Sequence, residues 1–245
     1  MKVRIANDLP IVPLGSGSLL GKVLVSLEDN VGFAMYEFCA KAGEEVKFVA
    51  FHPSHNHVYY CIEGRCTVYR DETEELPFTA DHMLALPSEN SVRAKVQEPI
   101  RIVAVSVPRD PSMSPMPLFM KSLSEVNDSD RNVSFERGYS RRFLAAPDGF
   151  NISFHNTLCL SHFNKHLQYV NNAEVIYFIK GQGEYIWENG QQQQEFDSEK
   201  DHGTLFLTAH DAHEVKIGAS DSIAICLFFP PLKGNERLKA DGSSY

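Results

Sequence analysis

The residues of this chain best suited to chemistry are a carboxylate and an imidazole beside two apolar segments of its second half. Glu174 precedes the apolar run 175–179 and a glycine turn, and His213 follows the later apolar segment 203–208. A long carboxylate before a continuously apolar run is expected to face a polar cavity, and an imidazole closing a nearby strand can reach the same cavity. Such a mixed set suits iron, zinc or manganese. The sequence therefore predicts one metal pocket inside a small β-barrel.

Both residues also have a purely structural interpretation. Glu174 could be a solvated carboxylate at a strand edge, and His213 could be an ordinary loop histidine. The apolar run behind Glu174, and the position of His213 at the end of the sequence His-Asp-Ala-His at 210–213, favour the ligand role for each.

The same pattern occurs earlier in the chain. With one constant offset and no gap, Gly64 aligns with Gly181, His57 aligns with Glu174, and the pair at 32–33 aligns with that at 149–150. An internal duplication predicts two similar structural units in one chain.

The elements that must position these residues are short strands. Runs of β-branched and aromatic residues bounded by Gly, Pro, Asp and Asn predict strands at 22–27, 33–39, 58–62, 66–69 and 100–107, and again at 152–160, 175–179, 184–187, 203–208 and 223–229. No long segment with helical periodicity competes with them. The pattern indicates an all-β chain built as antiparallel sandwiches or barrels.

The predicted division is an N-terminal barrel over residues 1–110, a linker over 111–135 and a C-terminal barrel over 136–245. The linker region contains prolines, serines and a charged stretch at 128–131. Within it, residues 118–123 are predicted to make a helical turn that packs on one barrel.

Composition limits the kinds of partner. A net charge of -9 without a Lys/Arg run argues against nucleic acid. There is no apolar run long enough to cross a bilayer and no signal-peptide core at the start, so we expect no membrane association. Five cysteines, an odd number without C-x-x-C spacing, are expected to be reduced thiols in a cytoplasmic protein.

Several blocks in the second half together resemble ectoine synthase, a family with the cupin fold. The resemblance covers roughly residues 139–245, on blocks at 153–155, 166–169, 174–183, 203–204, 210–213, 229–234 and 241–245. The first half is similar at 28–33, 42–43 and 60–64. The fold this implies is two tandem cupin barrels, each a double-stranded β-helix or jelly roll.

The resemblance also implies an activity and a metal site. The family condenses an amine with an acetylated amide inside one N-acetyl-diaminobutyrate molecule, with loss of water and with an iron-type metal in the barrel. Glu174 matches the family's carboxylate ligand and His213 its histidine ligand. The third family ligand is a tyrosine, and here Phe206 stands at that position with one residue deleted. Tyr169, His166 or a water are the alternatives for the third ligand.

Positions that line the family's pocket match Arg142, Thr157, Tyr169, Cys226, Phe228 and Glu236, and the predicted catalytic group is Tyr169, Glu174 and His213. Arg142 follows Arg141, so it is either a surface charge or a planar fork that grips a substrate carboxylate. Cys226 could be a buried packing residue, and Thr157 a strand hydroxyl that pairs across the sheet.

The N-terminal barrel carries weaker metal candidates in His52, His55 and His57. Ser91 stands about where the closing histidine is expected, and Glu89 and His82 are the alternative replacements. Ala40 and Ala104 replace Thr157 and Cys226. We therefore expect this half to be a structural barrel with a degenerate site.

The function that the resemblance implies is that of a metal-dependent cyclase or dehydratase, a carbon–oxygen lyase, acting on a small carboxylate-bearing N-acyl diamino acid or related metabolite. The expected cofactor is a divalent metal, iron in preference to zinc or manganese. The alternatives are another metal-dependent bicupin enzyme (a dioxygenase, a ureide aminohydrolase or a sulfonium lyase) and a non-catalytic bicupin that binds a small ligand. The chain is expected to be a monomer or a homodimer.

Overall fold

The computed structural model describes residues 1–15, 19–52, 54–70, 74–112, 117–237 and 243–244. Up to residue 122 the strands are β1 (Lys2–Ile5), β2 (Val12–Leu14), β3 (Leu19–Val25), β4 (Ala34–Ala40), β5 (Glu45–Phe48), β6 (His55–Tyr69), β7 (Glu75–Thr79), β8 (His82–Leu86), β9 (Val92–Pro108) and β10 (Phe119–Ser122). They are followed by β11 (Asn132–Phe135), β12 (Gly138–Leu144), β13 (Ser153–Cys159), β14 (Asn164–Tyr169), β15 (Ala173–Lys180), β16 (Gln182–Trp187), β17 (Gln192–Asp197), β18 (Thr204–Leu207), β19 (His213–Ile217), β20 (Ser222–Phe229) and β21 (Ser243–Ser244).

The helices are short. They are α1 (Leu123–Asn127), α2 (Ser198–Asp201) and single 3-10 turns at Ala6–Asp8, Leu27–Asp29, Ala146–Asp148 and Glu188–Gly190. The prediction of an all-β chain is confirmed. Of the helices in the described part of the chain, none has the length and apolar character needed to span a bilayer.

The chain divides into two compact units. The first unit is Pro10–Glu125, and the second unit combines Met1–Leu9 with Val126–Tyr245. In the first unit the strand order is β10-β8-β6-β9-β4-β3-β2, with β5 paired to β9 and β7 paired to β6. Its core packs aromatic rings from several strands, including Phe38, Phe48, Tyr59 and Phe78.

The second unit contains two sheets. One has the order β1-β18-β15-β20-β13-β12-β11 and the other the order β17-β16-β19-β14-β21. Continuous burial along β15 and β20 explains why both read as uninterrupted apolar runs in the sequence. Their antiparallel register places Glu174 opposite Phe228 and Ile176 opposite Cys226.

The observed units differ from the predicted division at the chain start and in the linker. β1 pairs with β18, so the first nine residues belong to the second unit. β10 pairs with β8, so the middle of the predicted linker is a strand of the first unit. Neither pairing leaves a local signal, because the partners are distant in sequence.

The predicted helical turn at 118–123 is wrong. Phe119–Ser122 is extended and hydrogen-bonded to β8, and the helix begins only at Leu123. The two strands predicted at 58–62 and 66–69 form one continuous strand, β6, which bends through Gly64 at an irregular register with β9. Residues 241, 242 and 245 of the resembling C-terminal block lie outside the described part.

Candidate active site

A cavity in the second unit is lined by strands from both of its sheets. Its walls include Arg142 on β12, Thr157 on β13, Tyr169 on β14, Glu174 on β15 and Cys226 on β20. Phe228 and Glu236 also line it. Side chains of a strand alternate between its two faces, so every second side chain of β13 and β20 points into the cavity.

The predicted metal ligands Glu174 and His213 lie beside each other. Glu174 Oε2 is 3.7 Å from His213 Nε2, and both side chains are almost completely buried. Glu174 lines the cavity, whereas His213, the first residue of β19, is not among its lining residues. Neither of these two atoms has a hydrogen-bond partner among the described residues.

The hydrogen bonding of His213 fixes which of its nitrogens faces the carboxylate. Its Nδ1 lies 2.9 Å from the Asp211 carbonyl oxygen, which can only accept, so Nδ1 carries the proton and Nε2 presents a lone pair to Glu174. Burial lowers the pKa of His213 to about 4 and raises the pKa of Glu174 well above its usual value. A buried carboxyl oxygen and a buried imidazole lone pair that face each other form an arrangement suited to a cation, which would replace the carboxyl proton.

These residues fit a metal ion. Two ligands of one ion lie about 3 to 3.5 Å apart when each bond is about 2.1 Å, which is close to the observed separation. The Nδ1–H bond from His213 to a backbone carbonyl is the usual support of a metal-binding imidazole. Counting only His, Cys, Asp and Glu, however, the described residues contain no group of three that could hold a metal.

The structure separates the two candidates for the third ligand. Tyr169 is buried on the cavity, with its ring 6.4 Å from that of His213. His166 lies three residues earlier on the opposite face of β14, where its side chain is 80% exposed and 3.8 Å from Glu214. The structure therefore does not bring His166 to the group, because strand alternation points it to solvent.

Arg142, predicted either to bind a substrate carboxylate or to be a surface charge, is buried and lines the cavity. Its side chain is 2% exposed, and Nη2 donates to the Glu236 carbonyl oxygen at 2.8 Å. Nη1 lies 3.7 Å from Glu236 Oε2. The Glu236 carboxylate also accepts from the backbone N–H groups of Lys233 and Gly234, so it anchors this segment at the cavity.

Two residues of this region were missed by the sequence reasoning. His155 lines the cavity between Arg142 and Cys226, which flank it across the sheet. Burial, followed by the nearby Arg142 charge, lowers its pKa well below the usual value, and Nε2 has no hydrogen-bond partner among the described residues. Its position two residues from Thr157 on the same strand was a usable signal.

The second missed residue is Tyr185 on β16. Its ring is fully buried and stacks on Phe206 at 4.1 Å and on His213 at 4.8 Å between ring centroids. Burial, reinforced by the charge of Glu174, raises the pKa of Tyr185 well above its usual value. No local pattern identifies Tyr185, since it enters from the sheet opposite Glu174.

The three histidines predicted as weaker metal candidates in the first unit each have a hydrogen-bond partner. His52 Nε2 is 2.7 Å from Tyr36 Oη, and His55 Nδ1 is 2.9 Å from Ser106 Oγ. His57 Nε2 accepts from the Phe51 N–H at 2.9 Å, and burial lowers its pKa to about 3. Among the described residues of this unit, no group of three His, Cys, Asp or Glu side chains could hold a metal ion.

The alternative replacements in this unit are also engaged elsewhere. Glu89 pairs with Arg109 at 3.1 Å, and its side chain is exposed. His82 Nδ1 lies 3.0 Å from Thr79 Oγ1. Ser91, at the place of the closing histidine, is exposed.

Comparisons with known proteins agree with this fold. The chain is 32% identical over 126 residues to L-ectoine synthase of Vibrio cholerae, a match that covers 51% of this chain and 88% of that protein. The structure is similar to a cupin 2 conserved barrel domain protein from Leptotrichia buccalis, with a TM-score of 0.61, 12% identity, and coverage of 93% of this chain and 96% of that one.

A second solved structure, a variant of oxalate decarboxylase from Bacillus subtilis, has a TM-score of 0.70 at 12% identity and covers 95% of this chain and 78% of its own. These structures confirm the predicted bicupin fold. A family model described as ectoine synthase matches residues 118–245, which span the whole cavity described above. By that match, the chain belongs to the ectoine synthase family.

Proposed function

We propose that the second unit is a metal-dependent cyclase that closes a ring in a small, carboxylate-bearing N-acyl diamino acid with loss of water. The observation that carries the proposal is the composition of one cavity. The buried guanidinium of Arg142 and the buried carboxyl group of Glu174 both line it. His213 Nε2 lies 3.7 Å from the Glu174 carboxyl oxygen. All of these residues lie within the segment that matches the family model.

The reaction class is an intramolecular condensation. The free amine of the substrate forms a C–N bond to the carbonyl carbon of its own amide, and the carbonyl oxygen leaves as water. No oxidant or reductant is required. The protein must hold the two ends of the substrate together and exclude bulk water, because water would compete as a nucleophile.

Arg142 is the group suited to the substrate carboxylate. Its planar fork is buried, so a charge-assisted pair with a carboxylate is only weakly screened by water. In the structure this fork contacts Glu236, and a substrate carboxylate would share or replace that contact. Apolar side chains of Phe228, Ile176 and Phe178 line the remaining wall and exclude water.

His155 is the residue suited to orient the attacking amine. Its Nδ1 lies 3.1 Å from Ser140 Oγ, which leaves Nε2 as the exchangeable atom on the cavity side. The lowered pKa keeps the imidazole neutral, so His155 can orient the attacking amine by a hydrogen bond, and it can relay a proton only where bound substrate raises that pKa again.

Glu174 and His213 are the residues that would hold a divalent metal, iron in preference to zinc or manganese. When bound, the metal supplies a Lewis acid that polarises the amide carbonyl. The neutral Nε2 of His213 and the oxygen of Glu174 are the donor types that such ions accept.

The first test is metal content by elemental mass spectrometry on the native chain and on Glu174→Ala and His213→Ala. We expect near-stoichiometric iron, zinc or manganese in the native chain and its loss in both variants. No metal in the native chain, even after reconstitution, would contradict the cyclase proposal and leave a ligand-binding bicupin, the alternative that Phe206 favours.

The second test is ring closure on a panel of N-acyl diamino acids, followed as loss of one water by mass spectrometry. Arg142→Lys removes the fork and is expected to raise KM about tenfold or more, since a charge-assisted bond is worth about 1.5–3 kcal/mol. The matched control is Arg141→Lys, because the Arg141 guanidinium bonds to Asn156 and Arg141 is not among the residues that line the cavity. Equal KM changes in both variants would contradict the role of Arg142.

A further inference from the structure

The Tyr185 hydroxyl is a buried polar group that has no hydrogen-bond partner among the described residues. Its ring shows 0% exposure. A buried tyrosine normally finds a partner for its O–H, and leaving it unpaired costs about 1–3 kcal/mol. Packing alone does not explain the residue, because phenylalanine would fill the same space without that cost.

The Tyr185 ring packs against the ring of His213, one of the two predicted metal ligands. The Tyr185 ring lies nearly parallel to the His213 ring, at 18° and 4.8 Å between centroids. His213 Nε2, Glu174 Oε2 and the Tyr185 oxygen are all buried without a hydrogen-bond partner in the described residues. Three neighbouring residues thus present an imidazole nitrogen, a carboxylate oxygen and a phenol oxygen.

Phe206 leaves the metal site without the ligand atom that the resembling family has at this position. It stands where the resembling family has its tyrosine ligand, and it has no donor atom. The Tyr185 ring stacks on Phe206 at 4.1 Å and 12°, so Tyr185 reaches the same region from the opposite sheet. The phenol missing from β18 is present on β16.

We propose that Tyr185 is the third protein ligand of the metal held by Glu174 and His213. The inference rests on the proposed function for the presence of the metal. On binding, the phenol loses its proton to solvent and its oxygen forms the bond to the ion. One carboxylate, one phenolate and one neutral imidazole then balance the charge of a divalent cation, as a buried site requires.

Tyr169 is the competing phenol. It lines the cavity, and its ring contacts that of Phe228 at 4.9 Å and lies farther from His213 than the Tyr185 ring does. It therefore faces the substrate side, whereas Tyr185 stands beside His213.

The experiment uses the full chain titrated with ferric iron, because a phenolate bound to ferric iron gives a visible charge-transfer band. The variants are Tyr185→Phe, Tyr169→Phe and the double variant Tyr185→Phe/Phe206→Tyr. We expect the band in the native chain and in Tyr169→Phe, and its loss in Tyr185→Phe with at least a tenfold weaker metal affinity. The double variant is expected to regain the band.

A structural role for Tyr185 is separated by the metal-free proteins. Removing an unpartnered hydroxyl leaves the stacked ring in place, so metal-free Tyr185→Phe should unfold at the same or a higher temperature than the native chain. A lower temperature would indicate a structural hydroxyl and overturn the inference.

The remaining outcomes distinguish the two proposals. If the native chain binds no iron, both the metal-dependent function and this inference fail. If it binds iron and Tyr185→Phe keeps the band and the affinity, or Tyr169→Phe alone loses them, only the assignment of Tyr185 fails.

Discussion

At the scale of single residues, the two duplicated halves differ in the hydrogen bonding of the aligned residues Glu174 and His57. Glu174 Oε2 lies 3.7 Å from the lone pair of His213 Nε2, and neither atom has a hydrogen-bond partner among the described residues. His57, at the aligned position of the first unit, has its Nε2 bonded to the backbone N–H of Phe51. In the first unit, the backbone N–H of Phe51 satisfies the buried acceptor at the aligned position. In the second unit, a bound cation would satisfy Glu174 and His213.

The buried imidazole of His57 predicts a pH dependence of stability. Burial lowers its pKa from 6.5 to about 3. Between these values the unfolded chain binds more protons than the folded chain, so the free energy of unfolding falls as pH is lowered from about 6.5 towards 3. His57→Gln keeps an acceptor for the Phe51 N–H and is expected to weaken this dependence.

The measurement is the urea midpoint of the first-unit transition at pH 7.5 and pH 5 for the native chain and for His57→Gln. We expect a smaller difference between the two pH values in the variant. The same difference in both proteins would mean that His57 titrates as freely in the fold as in the unfolded chain.

At the scale of elements, the turn after β15 depends on Gly181. Its φ is +89°, and a Cβ there would collide with Ser222 Oγ and lie 2.7 Å from the Asp221 carbonyl oxygen. Gly64, the aligned glycine of β6, has φ +85° and would collide with the Pro99 carbonyl. Both halves thus use the same close approach at the same place, as expected for a duplicated element.

Gly181→Ala is therefore expected to destabilise the second unit more than a left-handed φ alone would. The matched variant is Gly190→Ala, because Gly190 has φ +85° but no atom within 4 Å of the Cβ position. We expect Gly190→Ala to lower the free energy of unfolding by about 1–2 kcal/mol. Gly181→Ala is expected to lower it by at least about 1 kcal/mol more. Chemical denaturation measures both, and equal losses would show that the contact with Ser222 relaxes freely.

At the scale of the whole molecule, the chain does not assign its strands to units in simple succession. β1 adds to the edge of β18, with Val3 packed against the second-unit core, and β10 adds to the edge of β8 in the first unit. Each unit is thus completed by a strand that the corresponding predicted barrel, 1–110 or 136–245, leaves out.

Deleting residues 1–9 from the full chain should expose the β18 edge and remove the Val3 contact. We expect faster amide exchange in Thr204–Leu207 and a melting temperature of the second unit lower by about 5 °C or more. Exchange in β8 and β10 of the first unit serves as the internal control. Unchanged protection of β18 would mean that β1 contributes no stability.

The sequence by itself determined the features that are local or repeated. Strand periodicity predicted an all-β chain, the aligned Gly64 and Gly181 predicted two similar units, and the apolar run after Glu174 placed that carboxylate on a cavity. His213 and Arg142 were identified because the family resemblance marks single positions. These features can be predicted from sequence because side-chain alternation within one strand depends only on neighbouring residues.

Only the tertiary structure decided which faces meet. It turned His166 to solvent, brought Tyr185 beside His213 from the opposing sheet, and paired β1 and β10 with strands far along the chain. One sequence offers many long-range pairings of similar local preference. The choice among them depends on the register of distant strands and on the packing of two sheets, which no local pattern contains.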